Sequence, residues 1–278
     1  MTIPVGGLNR TIQAGEDITA VLKELLQVVI GVKAVNPTLS LSGTNKSEEY
    51  GTSIPETKLA ISLNQGYFEP ADSRWNGAKQ YMDCAITSVS VSGQSAKITD
   101  KTSAYFTIPA QTLTSVKTYS ITYNNVSANS VVPVNSSNQS ISEEKGFTGG
   151  KVKSSGTITF TPYYNAFIGG IDVESISELT STNIRSVAAH QLPVTPTAKT
   201  LLNGQPTSNG AKKAILIACP SVYQLISVQS ELGTDMTDSF DLRGSVNVTC
   251  GEETVSYNCY LCVVYGECKF QTVKLGKA

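Results

Sequence analysis

The first pattern along the chain is helical, because apolar residues return every three or four positions between residues 18 and 32. This spacing predicts an amphipathic helix from Ile18 to Val32. Gly15–Asp17 supplies an acidic N-terminal cap, and the pair Asn36-Pro37 ends the helix. The apolar side of the helix is formed by Ile18, Leu22, Leu25, Val29 and Val32.

This apolar side can be used in two ways: it packs on its own domain, or it bundles with copies of itself at an oligomer axis. Two heptads are too few for an isolated coiled coil. The β-rich body that follows gives the helix few strands of its own to cover, which favours the second use. We therefore expect these five residues to form an oligomer interface.

From Pro37 onward the apolar period changes to two, which is typical of strands with one buried face. Turn-forming residues such as Ser42–Asn45 and Asn64–Gly66 separate the strands. Many short strands at this spacing predict an immunoglobulin-like β-sandwich, in which residues 127–142 form a long polar loop. The alternating apolar positions are Leu39 and Leu41; Leu59, Ile61 and Leu63; Val89 and Val91; and Tyr119, Ile121 and Tyr123.

The second half predicts another β-rich domain that opens with a short helix between Ser175 and Gln191. Ala214–Ala218 is uniformly apolar and is predicted to be a fully buried strand. Asn203-Gly204 predicts a tight turn in a loop from Leu192 to Gly210. The remaining strands are predicted at Val222–Val228, Ser245–Thr249, Tyr257–Tyr265 and Phe270–Leu275.

The chain is therefore predicted to be mainly β, with three parts. Residues 1–36 form a leader and helix for docking and oligomerisation, residues 37–161 a β-sandwich, and residues 162–278 a second β-rich domain with a short helix. A boundary near Thr161 follows from the resumed alternation in Gly156–Phe160.

The amino-acid composition argues against two classes of function, nucleic-acid binding and membrane insertion. The 278 residues are 15% charged, and the net charge is −1 with a pI near 5.9, so no basic footprint for nucleic acid is present. Charged residues interrupt the most apolar stretch, Ile18–Val32, so membrane insertion is not expected. The start, Met1–Gly7, lacks a secretory signal pattern, and we expect assembly in a cytoplasm.

The six cysteines are unevenly distributed, with four of them between residues 250 and 268. Cys259 and Cys262 have the spacing of a zinc-binding pair, but Cys250 and Cys268 stand alone on either side. In a strand the odd spacing of Cys259 and Cys262 places them on opposite faces. Buried free thiols are the favoured interpretation over zinc or disulfides, since free cysteine is often buried.

No catalytic, cofactor-binding or metal-binding residue is assigned. His190 is the one histidine, and we expect it to cap the end of the second helix. Asp235, Asp238 and Asp241 lack the pattern of an EF-hand, and a turn-rich loop is favoured over a calcium site. No enzymatic activity is therefore predicted.

The aromatic residues suggest an alternative function, because such side chains stack on sugar rings as well as filling cores and interfaces. Core or interface positions are favoured, and a carbohydrate-binding module remains the rival function. The aromatic set comprises Tyr67, Phe68, Tyr81, Tyr163, Tyr164 and Phe167.

Several segments also follow one another in a recognisable order: Ala14–Leu26, Pro37–Leu41, Glu49–Ser53, Leu59–Gly66, Gly156–Tyr164, Lys212–Pro220, Tyr257–Tyr265 and Phe270–Lys274. This layout resembles that of tailed-bacteriophage structural proteins of the fibre, tail or head-fibre type, over nearly the whole chain. No single motif carries the resemblance, and no binding residue is transferred.

The resemblance implies a virion structural protein, assembled in the host cytoplasm, that docks to other virion proteins as a fibre-like subunit. It implies self-association, for which a homotrimer is the expected closed form, and contact with the host surface, including its glycans. The alternatives are a carbohydrate-binding module, a head decoration protein or a neck-tail adaptor. A depolymerase is a third class and would need clustered carboxylates.

Overall fold

The computed structural model describes residues 13–26, 29–196, 200–208 and 210–278. It is mainly β, with 52% of residues in strands and 7% in helices, and its large curled sheets form a sandwich-like fold. The predicted fold class is thereby confirmed. Within the described residues, no helix has the length and apolar character needed to cross a bilayer.

The helical elements are short. They are α1 (Ile18–Leu26), α2 (Ser181–Arg185) and two 3₁₀ turns, Ile176–Glu178 and Thr237–Ser239. The strands of the first half are β1 (Val32–Val35), β2 (Thr38–Ser42), β3 (Lys46–Glu49), β4 (Thr52–Ile54), β5 (Thr57–Asn64), β6 (Tyr67–Pro70), β7 (Gln80–Tyr81), β8 (Ile86–Val91), β9 (Gln94–Ser95), β10 (Lys97–Ile98), β11 (Ser103–Ile108), β12 (Gln111–Leu113) and β13 (Lys117–Val126). Those of the second half are β14 (Lys153–Ser155), β15 (Thr157–Ile171), β16 (Ala189–Pro193), β17 (Thr200–Ser208), β18 (Ala214–Pro220), β19 (Tyr223–Ser230), β20 (Leu242–Cys250), β21 (Glu253–Val263) and β22 (Lys269–Lys277).

The chain divides into two compact units that are discontinuous in sequence. The first unit contains the described residues up to Thr44, together with Lys58–Ile108 and Tyr119–Ile158. The second unit contains Asn45–Thr57, Pro109–Thr118 and the described residues from Thr159 onward. Strand β15 runs without a break through the boundary predicted near residue 161.

The first unit holds a sheet of order β10-β11-β5-β2-β14 and a smaller sheet of order β1-β6-β7. Strands β2 and β5 are antiparallel, with Leu39 opposite Leu63 and Leu41 opposite Ile61. These side chains are buried while their polar neighbours are exposed, as the alternation predicts. One face of this sheet therefore carries core residues, and the other carries hydroxyl groups.

The second unit packs two layers of strands and a layer of helix around two apolar clusters. One cluster joins β15, β18 and β21 to β19 and β22, and includes Ile217, Tyr223 and Phe270. The other lies on the opposite face of β15, β18 and β21 and includes Ile184 of α2. Because both faces of β18 are covered, all seven of its residues are buried, as predicted for this apolar run.

The first helix is shorter than predicted. It ends at Leu26, and Val32 is instead the first residue of β1, paired with Pro70. The segment after the helix is rich in β-branched residues and contains Gly31, both of which disfavour a helix and allow a strand. The prediction of a helix reaching Val32 is therefore wrong.

The predicted helical run from Ser175 to Gln191 is mostly wrong. Only a 3₁₀ turn and the five residues of α2 are helical, and the run ends in strand β16. His190 lies in that strand opposite Ala166, so it does not cap a helix. Tertiary pairing with β15 thus overrides the local preference of this segment.

Two further details differ from expectation. Strand β13 is present, but Tyr123 is 46% exposed and the buried residues are Asn124 and Val126. A register shift between Ile121 and Tyr123 moves the later side chains to the other face. The predicted turn at Asn203-Gly204 lies within β17, where pairing with β22 is irregular between Asn203 and Thr207.

Candidate functional site

The main charged cluster of the second unit joins residues that are far apart in sequence. Arg185, the last residue of α2, donates from Nη1 to Glu49 Oε1 at 2.8 Å and from Nη2 to Glu49 Oε2 at 2.7 Å. Nη1 also donates to the Thr249 carbonyl at 3.1 Å. The guanidinium group lies 5.6 Å from the centre of the Phe167 ring. The side chain of Arg185 thus links α2 to β3, β15 and β20.

Neighbouring polar groups extend this cluster towards the core. Asn165 Nδ2 donates to Glu49 Oε1 at 3.0 Å, and the Tyr257 hydroxyl donates to the Asn165 carbonyl at 2.9 Å. The Cys250 thiol lies 3.7 Å from the same hydroxyl. Each buried polar group of the cluster therefore has a partner, as a stable buried network requires.

The contacts between Glu49 and Arg185 stabilise the charged form of both side chains. Burial acts to raise the pKa of Glu49, but hydrogen bonds from Arg185 and Asn165 outweigh it and lower the pKa. The hydrogen bond with Glu49 raises the pKa of Arg185. The Glu49 side chain is only 14% exposed, whereas that of Arg185 is 35% exposed. A carboxylate neutralised in this way is a poor proton acceptor for catalysis, and its geometry fits a structural clamp.

Sequence reasoning missed this clamp, although it noted the segment Glu49–Ser53. Arg185 and Glu49 are separated by 136 positions. No local spacing signals such a pair, because the pairing of β3 with β15 brings Glu49 to this place. A shallow depression beside the arginine is lined by Ser181, Thr182, Ser186 and Thr249.

The cysteines lie as buried free thiols, with Cys268 the least buried of the six. Cys259 belongs to the cluster under α2 and Cys262 to the cluster between the sheets, which confirms that they lie on opposite faces of β21. Burial raises the pKa of Cys219 and of Cys259 to about 12. These thiols are therefore protonated at neutral pH and are poor nucleophiles.

Labelling with N-ethylmaleimide at pH 7 should distinguish Cys268 from the other five. We expect at most one adduct per native chain by intact-mass spectrometry, because only Cys268 is partly exposed. Unfolding in guanidinium should then allow all six thiols to react. Two or more adducts on the native chain would contradict the burial described here, and a Cys268→Ser variant should give none.

The three aspartates of the predicted turn-rich loop have local roles or surface positions. Asp235 Oδ1 accepts a hydrogen bond from the Thr237 amide at 2.9 Å, which closes a turn. Asp238 lies in the 3₁₀ turn that follows, and Asp241 precedes β20. Within the described ranges, no group of three metal-ligating side chains is close enough to hold an ion.

The aromatic set divides between core and surface. Phe68, Tyr164 and Phe167 are buried. Tyr163 is half-buried in β15, opposite Pro193 and Glu49. Tyr81 is 61% exposed and faces the half-buried Tyr67 across two paired strands. Of these six residues, Tyr81 alone is largely exposed.

The residues of the predicted oligomer interface lie in different environments in the structure. Ile18 and Leu22 lie one turn apart on α1 and are 73% and 49% exposed, whereas Val21 is buried. Leu25 is in the helix, but its side chain lies outside the described residues. Val29 follows the helix and is half-buried, and Val32 is a core residue of β1. Among the α1 side chains that the structure describes, the exposed large apolar ones are thus Ile18 and Leu22.

Comparison of this chain with protein-family models, with curated proteins and with solved structures finds no match.

Proposed function

We propose that this chain is a non-enzymatic structural subunit that assembles with copies of itself, and that it serves as a fibre-like appendage of a tailed-bacteriophage particle. In this proposal α1 and the residues before it dock and join three copies, while the two β-rich units project from the particle. The partners are further copies, other virion proteins and the host surface. Assembly takes place in the host cytoplasm.

The observation that carries the proposal is the apolar side of α1. Ile18 and Leu22 together expose two large aliphatic side chains on one side of a nine-residue helix. Val21, on another side of the same helix, is buried. Asp17 fixes the start of the helix, since its Oδ1 accepts the Thr19 amide at 2.8 Å. We assign the exposed side to contact with other copies because burying it gains about 25 cal/mol per Å².

One edge strand of the second unit, β19, supports assembly through side chains instead of open-ended strand pairing. Strand β19 is an edge strand, but its Val228 amide donates to Thr237 Oγ1 at 2.9 Å. The Leu225 amide donates to the Tyr260 hydroxyl at 3.2 Å. Because these two donors are used internally, this edge is a poorer template for another strand, which favours a closed oligomer over a fibril.

The double variant Ile18→Asp/Leu22→Asp tests the proposal. We expect the wild-type chain to have the mass of a trimer by multi-angle light scattering, and the variant to have that of a monomer. Two buried carboxylates at a symmetric axis would each lose hydration and repel their copies. Circular dichroism should show the same strand content in both proteins.

Leu232→Asp is the matched control, because Leu232 is 94% exposed in a turn of the second unit. It should leave the trimer mass unchanged. A wild-type chain that is monomeric at all concentrations, or a double variant that keeps the wild-type mass, would contradict assembly through α1.

A further inference from the structure

One outer sheet face of the first unit carries an exposed aromatic ring beside a half-buried one, together with charged side chains. In the sheet of order β1-β6-β7, Val35 is opposite Tyr67, and Tyr67 is opposite Tyr81. Paired residues of neighbouring strands point to the same face, so these three side chains form one row. The intervening Phe68 points to the other face and is fully buried. The row therefore lies on the outer side of the sheet.

The two tyrosines form an ordered surface. Their ring centres are 6.0 Å apart at an interplanar angle of 68°. Strand β7 is held from its inner side, because Gln80 exchanges hydrogen bonds with the backbone of Val134 at 2.8 and 2.7 Å. Tyr81 therefore exposes its ring from a fixed backbone, and little order has to be gained when a ligand binds.

A second row of side chains gives this face a positive charge. Lys33 is opposite Glu69 and forms an ion pair with it at 3.1 Å. Lys79 stands two residues before Tyr81, and its Nζ lies 3.9 Å from the centre of the Tyr67 ring. These three side chains, two lysines and one glutamate, together carry a net charge of +1. Lys79 Nζ is held by Tyr67, through its ring and through a hydrogen bond that raises the pKa of Lys79, and Glu69 adds a weaker attraction.

We propose that Tyr67, Tyr81 and Lys79 form a binding site for an acidic sugar, such as a uronic or sialic acid residue at the end of a glycan. The apolar face of a pyranose ring matches the exposed ring of Tyr81, and its carboxylate matches the ammonium group of Lys79, which lies over the Tyr67 ring. The row is about the width of one or two sugar rings, since neighbouring strands are about 4.8 Å apart. This activity goes beyond assembly and does not depend on α1.

The test uses the full chain and a set of immobilised oligosaccharides that end in glucuronic, galacturonic or sialic acid, each beside its neutral counterpart. We expect saturable binding to at least one acidic glycan and at least tenfold weaker binding to its neutral counterpart. Tyr81→Ala should weaken binding about tenfold or more, as loss of one stacking ring does in other aromatic platforms. Lys79→Gln should remove the preference for the acidic glycan.

Tyr265→Ala is the matched control, because Tyr265 is fully exposed in the second unit, and it should bind as the wild type does. Trp75 is the one tryptophan of the chain and lies in the loop between β6 and β7, so its fluorescence provides a second readout in solution. Failure to bind every acidic glycan, equal binding of neutral glycans, or binding that survives both Tyr81→Ala and Lys79→Gln would overturn the proposal. The mass of the same samples by light scattering reports on assembly separately.

Discussion

Replacing Arg185 with methionine should lower the free energy of unfolding by about 2–3 kcal/mol. The change keeps an apolar stem over Phe167 but leaves the Glu49 carboxylate, only 14% exposed, without its two charged hydrogen bonds. Breaking a fully buried ion pair costs about 3–5 kcal/mol, and the partial exposure of Arg185 reduces that figure. Urea denaturation at pH 7 measures the difference.

Arg74→Met is the matched control for this substitution. Arg74 also makes two side-chain hydrogen bonds to one carboxylate, that of Asp72, but the pair lies at the surface in a turn. Its loss should change stability little, because surface pairs contribute little. Equal effects of the two variants would contradict a structural role for the buried pair.

The pH dependence of the stability provides a second test of the Glu49–Arg185 pair. Because the pKa of Glu49 is lowered in the folded chain, its contribution is present above the ordinary glutamate pKa of about 4.3 and is lost as the pH falls through the lower folded value. In Arg185→Met, the hydrogen bond from Asn165 remains, but the larger opposition to burial, which comes from Arg185, is removed and the pKa of Glu49 rises. The stability difference between wild type and variant should therefore shrink in acid, and a constant difference would exclude this explanation.

Replacing Gly51 with alanine should lower the free energy of unfolding by about 3 kcal/mol. Gly51 has φ of +84°, and an added Cβ would lie 2.0 Å from the Cys250 carbonyl oxygen. The residue also donates to the Leu113 carbonyl at 2.9 Å and accepts from the Glu252 amide at 2.8 Å. Backbone strain and the steric clash therefore add, and relieving the clash would break one of these hydrogen bonds. Thermal unfolding followed by circular dichroism measures the loss.

Gly93→Ala separates the two contributions. Gly93 has nearly the same backbone angle, +82°, but nothing lies within 4 Å of the position that its Cβ would take. The free energy of unfolding of this variant should fall only by the cost of holding alanine in the left-handed conformation, about 1 kcal/mol. If both variants lost the same amount, close packing of the turn at Gly51 against β20 and β21 would not be the cause.

Sequence patterns predict those parts of the fold in which burial follows local alternation. Leu39, Leu41 and the apolar residues of β5 alternate in the sequence and in the structure, because one face of their sheet is buried. The run Ala214–Ala218 is also predicted correctly, since a strand covered on both faces needs apolar residues throughout.

The same patterns fail where distant pairing decides the conformation. Strand β16 ends a segment with helical spacing, and its conformation comes from pairing with β15. A register shift in β13 exposes Tyr123, and no residue type near it signals that shift. The Glu49–Arg185 clamp and the row Tyr67–Tyr81 depend on which strands become neighbours, and a single sequence does not specify this.

The discontinuity of the second unit bears on how the chain folds during synthesis. Strand β3 pairs with β15, and its first paired residues, Lys46 and Phe160, are 114 positions apart. At about 5–20 residues per second, a ribosome delivers the second partner roughly 6–23 s after the first. During that interval β3 has no partner strand, whereas β4 and β12 emerge early enough to pair with each other. Three of the four residues of β3 are charged, which disfavours pairing with other strands before β15 is made, and this part of the second unit folds only after β15 has emerged.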